Sequence, residues 1–381
     1  MNNYYKNIAK EIEGKINKSK FDYKHYLEKS KQSEEPFNLL ETYENEVQET
    51  IKSMSNKASV GPDGISNKII KKISPFIIKE LTNCINKSFN EVTFPESIKI
   101  TKITPVFKKN ERSLPENWRP IAQLSPFSKI YEKVFLKQVN EQLDRFEIIS
   151  KNQFGFRSKH STIHPILLIK NFIERELQKK KHVIMVTLDI QKAFDCVKTS
   201  GLLQNKIKFY TKSQKITEWI DSYYRNRKQY TIWGREKSET VNNHKISIVQ
   251  GSNIGSKMFN FYINDLPKIT KCETFLFADD CALLFSNHDP KILNKEVNDE
   301  INLIKDYFDS NFLSVSIDKS NFLHFQPKNK KGEKIQINIG GKSLEEKNNI
   351  TYLGVIIDNK LQFNEHFSKI YNKAKNGLKM D

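Results

Sequence analysis

Three aspartates hold the chemistry this chain could perform. Asp279 and Asp280 are adjacent in Thr274 to Phe285, TFLFADDCALLF, where apolar runs with the length of buried strands flank the pair. Adjacent carboxylates repel, and apolar surroundings raise that cost unless a cation is present. Taken alone, the pair reads more readily as a solvated hairpin tip, because aspartate is common in turns. A second stretch, His182 to Val197, HVIMVTLDIQKAFDCV, also ends an apolar strand on a carboxylate, Asp189. If that strand pairs beside the hairpin, three carboxylates meet at one end of a sheet. Two unit charges about 4 Å apart repel by roughly 4 kcal/mol at an effective dielectric of 20. Two Mg²⁺ ions, with Mn²⁺ as a substitute, would turn such a cluster into a clamp for in-line phosphoryl transfer. Oxygen ligands suit magnesium, and no histidine is required.

Elements of both kinds must position these groups. An amphipathic helix is expected from about Pro36 to Ser55, where Phe37, Leu40, Val47, Ile51 and Met54 recur at helical spacing. Residues 1–34 read as polar, helical and weakly packed. Gly61 to Gly64, GPDG, reads as a tight turn. Ile69 to Phe89 reads as a helix interrupted near Pro75, and Ile100 to Phe107 as a strand. Asn117 to Ile130 holds two prolines and cannot be one helix, which leaves Arg119 in extended or turn backbone before Pro120. Tyr131 to Leu143, Leu202 to Tyr224, Met258 to Leu266 and Ile292 to Asn311 read as helices. Gln229 to Trp233 and Lys245 to Val249 read as a hairpin, and β character returns in the last third. No regular βαβ repeat emerges, so the fold class is α+β around an antiparallel sheet. Asn152 to Ser161, NQFGFRSKHS, suits contact with a nucleic-acid backbone, or equally a loop that buries Phe154 and Phe156.

The formal net charge of +18 over 381 residues points to a polyanionic partner, most simply nucleic acid. Part of it is lysine-rich composition. The eight arginines all lie mid-chain, where a planar fork can serve phosphate. Four scattered cysteines lack CxxC or Cys/His ligand spacing, which argues against structural zinc or a disulfide framework. No run of about 18 apolar residues offers a membrane span. The charged N-terminus lacks the apolar segment of a secretory signal, so an intracellular protein of nucleus or cytoplasm is expected.

The blocks KASVGPDG, ITPVFKK, NWRPIAQLS, NQFGFR, LDIQKAFD, VQGSNIGSKMFNFYINDLP, FADD, VSIDKSNFLHF and YLGV occur in the order found in reverse transcriptases. Their wording resembles the non-LTR (LINE-type) retrotransposon branch, from about residue 57 to beyond residue 360. The resemblance implies a right-hand polymerase fold: an N-terminal helical extension at 1–55, a reverse transcriptase domain of fingers and palm at 56–358, and a truncated thumb from 359. It implies DNA synthesis on an RNA template from a primer 3′-hydroxyl and dNTPs. By matching motif, Asp189, Asp279 and Asp280 would be the palm metal ligands, with the Ile190 carbonyl completing the second ion. Lys108 and Arg119 look like fingers cations for the triphosphate, which the Lys192 and Ala193 amides would also reach. Phe194 matches the aromatic that excludes a 2′-hydroxyl; without the family it is simply a core phenylalanine. Gln250 and Gly251 resemble the motif that supports nucleotide and template. Lys319 matches a lysine that protonates pyrophosphate, though a lone lysine is ordinarily a solvated one. Asp195 would be structural. Gly155 and Arg157 would serve the template, and Tyr352, Leu353 and Gly354 resemble a primer-gripping hairpin.

Departures from the family pattern are Ile254-Gly255-Ser256 where leucine-glycine-proline is usual, and Trp118 for tyrosine. The missing proline loosens a turn. With no endonuclease before residue 57 and no C-terminal Cys/His cluster, the chain is expected to be a polymerase core alone. The rival expectation is a nucleic-acid-binding remnant that cannot extend a primer.

Overall fold

The structure, a computed structural model, describes residues 2–14, 16–56, 58–108, 110–242, 247–328 and 334–377. The chain forms two compact units whose segments interleave: Met1–Lys15, Ser30–Ile149 and Lys192–Ile263 in the first, and Ile16–Lys29, Ser150–Gln191 and Asn264–Asp381 in the second.

In the first unit, a mixed sheet runs in the order Trp118–Gln123, Ile100–Phe107, Lys228–Trp233, Glu236–Lys237. Its first pair is antiparallel and its second parallel. Pro120 is tolerated because its strand is at the sheet edge. The hairpin partner of Lys228–Trp233 is Glu236–Lys237, not Lys245–Val249. Lys245 and Ile246 lie outside the described residues, and Ser247 to Val249 is not strand. Helices Glu44–Ser53, Asn67–Asn90 and Pro126–Arg145 pack on one another. Trp219 is wholly buried among Phe89, Phe94 and Phe135, and its indole N–H donates to Ser88 Oγ at 3.0 Å.

Three helix expectations are corrected here. Residues 36–43 belong to no helix or strand, and the helix begins only at Glu44. Side-chain amides of Gln138 and Gln142 exchange hydrogen bonds with the backbone of Leu40 and Asn38, serving as a substitute for a neighbouring strand. Conversely, Pro75 does not interrupt its helix, which runs unbroken over Asn67–Asn90. The carbonyl that proline leaves without its amide, that of Lys71, instead accepts from Ser74 Oγ at 3.0 Å. The expected helix Leu202 to Tyr224 is two, Leu202–Thr211 and Gln214–Tyr224, parted at Lys212 with φ +52°.

The second unit is built on a five-stranded sheet ordered Glu345–Glu346, Asn321–Phe325, His182–Leu188, Asp280–Asn287, Glu273–Phe277. All its pairs are antiparallel except the short outer one. His182–Leu188 is central and almost entirely buried, which is why its sequence is a continuous apolar run without alternation. Helix Ile163–Gln178 supplies Ile169 and Ile173 to one face, against Val183, Met185, Phe275 and Leu284. Helix Pro290–Ser310 packs beside Asp280–Asn287. The hairpin Asn349–Tyr352 and Val355–Asp358 turns on Leu353 and Gly354, both at positive φ, the geometry a two-residue turn requires. The region before residue 34 is less loosely packed than its polarity suggests. Tyr26 and Leu27 are buried, and the Tyr26 hydroxyl donates to Asp306 at 2.6 Å.

Candidate functional site

The predicted site residues fall into two groups, one in each unit. In the second unit, Leu188 pairs with Cys281, so the next position in register sets Asp189 across from Asp280. Phe277 pairs with Asp280 across a two-residue turn, Ala278–Asp279, and Ala278 has φ +56° as a primed hairpin turn requires. The expected juxtaposition of the Asp189 strand with the aspartate hairpin is therefore present. Asp189 is fixed through its backbone: its N–H donates to Ser320 Oγ at 3.1 Å, and its carbonyl accepts from Ser316 N at 2.8 Å. Ile190 forms a single antiparallel bridge with Val315.

Asp280 stays reachable by solvent, yet the surrounding protein displaces enough water to push its pKa up to about 6, with further contributions from the charges of Asp279 and Asp189. Lys319 Nζ lies 3.8 Å from Asp189 Oδ1, and both side chains are well exposed, so this ion pair is weak. Among the described residues no three His, Cys, Asp or Glu side chains converge closely enough to cage a metal ion. The donor chemistry nonetheless fits a hard divalent cation: mutually repelling carboxylates with oxygen donors, and Lys319 only weakly paired with Asp189.

A buttress behind the turn was missed at the sequence level. Gln153, 1% exposed, accepts at Oε1 from Ala278 N (3.1 Å) and Gly155 N (2.8 Å). Leu276 exchanges backbone hydrogen bonds with Asn152 and Phe154, each 2.8 Å. Gly155 presses on the turn itself, and a Cβ there would lie 2.3 Å from Ala278 N. Arg157 Nη1 donates to the carbonyls of Ser150 (2.9 Å) and Gln153 (3.2 Å). Of the two open readings of this loop, Phe154 is buried and Phe156 is half exposed. Tyr352 is buried and its hydroxyl donates to Phe275 O at 3.3 Å, while Gly354 is exposed at the hairpin tip.

In the first unit, Lys192 adopts a left-handed conformation and opens the single turn Ala193–Cys196. Ala193 is buried; Phe194 stacks on Phe259 with centroids 4.9 Å apart. Asp195 is buried, and desolvation pushes its pKa up to about 6 against the opposing charge of Lys192 and the Gln250 hydrogen bond. Gln250 Nε2 donates to both Asp195 oxygens, at 3.0 and 3.2 Å. The Gln250 carbonyl accepts from Ala122 N at 3.0 Å. Gly251 has φ +104°, and a Cβ there would meet Ala122 O at 2.9 Å, so only glycine fits. Lys108 and Arg119 are exposed. Arg119 alternates with Pro120 and so stands on the opposite strand face from Ala122. The structure thus gathers Lys192 to Asp195, Gln250 and Gly251, and leaves Arg119 on the other face of its strand.

The N-terminal helix Asn2–Glu13 lies over the same region. Asn2 Oδ1 accepts from Gln229 Nε2 (3.3 Å) and Thr231 Oγ1 (3.1 Å), Tyr5 packs on Ile103, Ala122 and Val249, and Glu13 pairs with Lys198 at 2.6 Å.

Fold and site together define a mixed-sheet α+β protein with aspartates presented from a central strand and its neighbouring hairpin. The comparisons give that class its family. The chain belongs to the reverse transcriptase (RNA-dependent DNA polymerase) family, whose model matches residues 106–357. It is 27% identical over 84% of its length to the probable RNA-directed DNA polymerase from transposon BS of Drosophila melanogaster. It is 25% identical over 87% to the RNA-directed DNA polymerase from mobile element jockey of Drosophila funebris. The Pol polyprotein of type-1 retrotransposable element R1 from Bradysia coprophila is 24% identical over 87% of the chain. The matches span 36%, 36% and 32% of those relatives' own lengths. The resemblance to non-LTR retrotransposon polymerases is thereby borne out. Enzymes of this family work with divalent metal ions on RNA, DNA and dNTPs. No described helix is long and apolar enough to cross a membrane.

Proposed function

We propose that this chain is the polymerase core of a non-LTR retrotransposon reverse transcriptase, extending a primer 3′-hydroxyl with dNTPs on an RNA template. The observation that carries this reading is the antiparallel pairing that ends at Leu188 and Cys281, the residues next to Asp189 and Asp280, with Asp279 in the adjoining turn. Asp189, Asp279, Asp280 and the Ile190 carbonyl would hold two Mg²⁺ ions, which supply Lewis-acid activation of the attacking and leaving oxygens. Lys319 would serve the departing pyrophosphate. On the nucleotide side, Lys192, Ala193, Gln250 and Gly251 would support the dNTP, Phe194 would crowd a ribose 2′-hydroxyl, and Lys108 and Arg119 would neutralise phosphate charge. Gly155, Arg157 and the turn Tyr352 to Gly354 would border the template and primer. In right-hand terms, residues 56–358 supply fingers and palm, 1–55 an N-terminal extension, and the helix Asn364–Gly377 part of the thumb.

Primer extension on an RNA template, with wild type and Asp279→Ala side by side, tests the reading. Extension by wild type that falls by at least about a hundredfold in the variant is expected, the scale of removing one preorganised electrostatic stabiliser. Equal signals from the two proteins would count against it, and two blanks would put the chain with the non-catalytic remnant.

A further inference from the structure

We infer that Glu132 is the positioning residue that holds the Gln250–Gly251 turn in place for the nucleotide; this rests on the polymerase reading above. Glu132 sits on helix Pro126–Arg145 and is 0% exposed, on a face with the buried Ser128, Phe135, Leu136 and Val139. A buried carboxylate is costly unless its oxygens are hydrogen-bonded, so where those bonds go says what the residue is for. Oε2 accepts from Asn253 N at 2.7 Å and from Asn253 Nδ2 at 3.0 Å. Oε1 accepts from the Tyr223 hydroxyl at 2.8 Å and, more distantly, from Ser128 Oγ at 3.3 Å.

Asn253 is the first residue of helix Asn253–Tyr262 and follows Gln250 by three positions. That helix already has its cap, because Ser252 Oγ accepts from Gly255 N at 2.9 Å. Glu132 is therefore not needed to start the helix; its two bonds to Asn253 fix where the helix starts. The turn is then held from both ends, by Ala122 N on the Gln250 carbonyl and by Glu132 on Asn253. Between those anchors Gly251 passes so close to Ala122 O that no side chain fits, and Gln250 reaches both oxygens of Asp195. Freeing the Asn253 end lets Gln250 swing off Asp195.

Steady-state primer extension with wild type, Glu132→Gln, Asn253→Ala and Ser88→Ala tests this, alongside the Tm of each protein. Ser88→Ala removes a buried hydrogen bond to Trp219 elsewhere in the same unit and controls for lost stability alone. Glu132→Gln keeps the shape but cannot accept at both ends, and its KM for dNTP is expected to rise about tenfold or more, with kcat changed far less. Asn253→Ala loses one of the two turn-side bonds and is expected to show a smaller rise in KM, which keeps the test open if the Gln variant does not fold. Ser88→Ala is expected to lower Tm and leave KM unchanged. Wild-type KM in both Glu132→Gln and Asn253→Ala, or an equal rise in Ser88→Ala, would overturn the inference while leaving the polymerase reading standing. No extension by wild type overturns both.

Discussion

Asp280 carries the electrostatic cost of the acidic hairpin, and that cost has a pH signature. Its unperturbed value is 3.8 and its folded value about 6, so between those limits the folded chain keeps a proton that the unfolded chain has lost. Stability at this site is therefore highest below pH 4, falls as pH rises to about 6, and stays low above that. Asp195 titrates in the same window through burial, but it is common to wild type and variant and cancels in their difference. Asp280→Asn removes the ionised form. In the presence of EDTA its Tm is expected to exceed that of wild type at pH 7.5, and the gain is expected to vanish near pH 4. Added Mg²⁺ at pH 7.5 should raise the wild-type Tm more than the variant's, because ion binding to the folded state is what offsets the repulsion. Thermal melts across this range, with and without Mg²⁺, check both signs; a variant less stable than wild type at pH 7.5 in EDTA would contradict the account.

The element that governs the aspartate turn is the loop around Gln153, which lies over 120 residues away in sequence. Gly155→Ala would drive a methyl into backbone, 2.3 Å from Ala278 N and 2.9 Å from the Phe277 carbonyl carbon, with no flexible side chain to yield. The expected cost is about 1–3 kcal/mol of stability. Primer extension should fall further than that loss explains, because the turn displaced is the one that carries Asp279. Urea unfolding together with primer extension at a temperature where the variant is fully folded separates the two effects. This contact also marks the limit of what could be read from the chain. The apolar runs ending in Asp189 and Asp279 were legible, since a central strand buried on both faces has to be continuously apolar. So were the Leu353–Gly354 turn, through its likeness to the family's hairpin, and the strand Ile100–Phe107. Gln153 and Glu132 were not, because a buried amide or carboxylate is defined by partners far along the chain. The one sequence signal was a charged residue at a core-facing position, which Glu132 supplies beside Phe135, Leu136 and Val139. Pro75 misled for a related reason: a serine one position earlier takes over the carbonyl that proline cannot reach.

Across the whole molecule, the +18 charge rests on a basic population in which arginine is scarce, and most of those arginines are occupied within the chain. Arg227 is buried against the Tyr223 ring, Arg157 binds two carbonyls, and Arg225 pairs with Asp221. Arg175 bonds Glu176 and lies over Phe172; Arg145 and Arg112 lie over Phe146 and Phe107. Six of the eight guanidinium groups thus already have a carbonyl, carboxylate or ring partner within the protein. If the chain binds nucleic acid as proposed, most of the phosphate contact would fall to lysines, which act as hydrated point charges without the bidentate fork. Binding of that kind gains most of its free energy by releasing counterions, so it is steeply salt-dependent. If about six phosphates are neutralised, log affinity for a primer–template duplex should fall against log salt with a slope of about −5, a loss near a thousandfold between 50 and 200 mM. Fluorescence anisotropy across that range measures the slope directly. A value shallower than about −1 would mean that fewer than two phosphates are neutralised, and that the lysines reflect the composition of the chain more than its grip on nucleic acid.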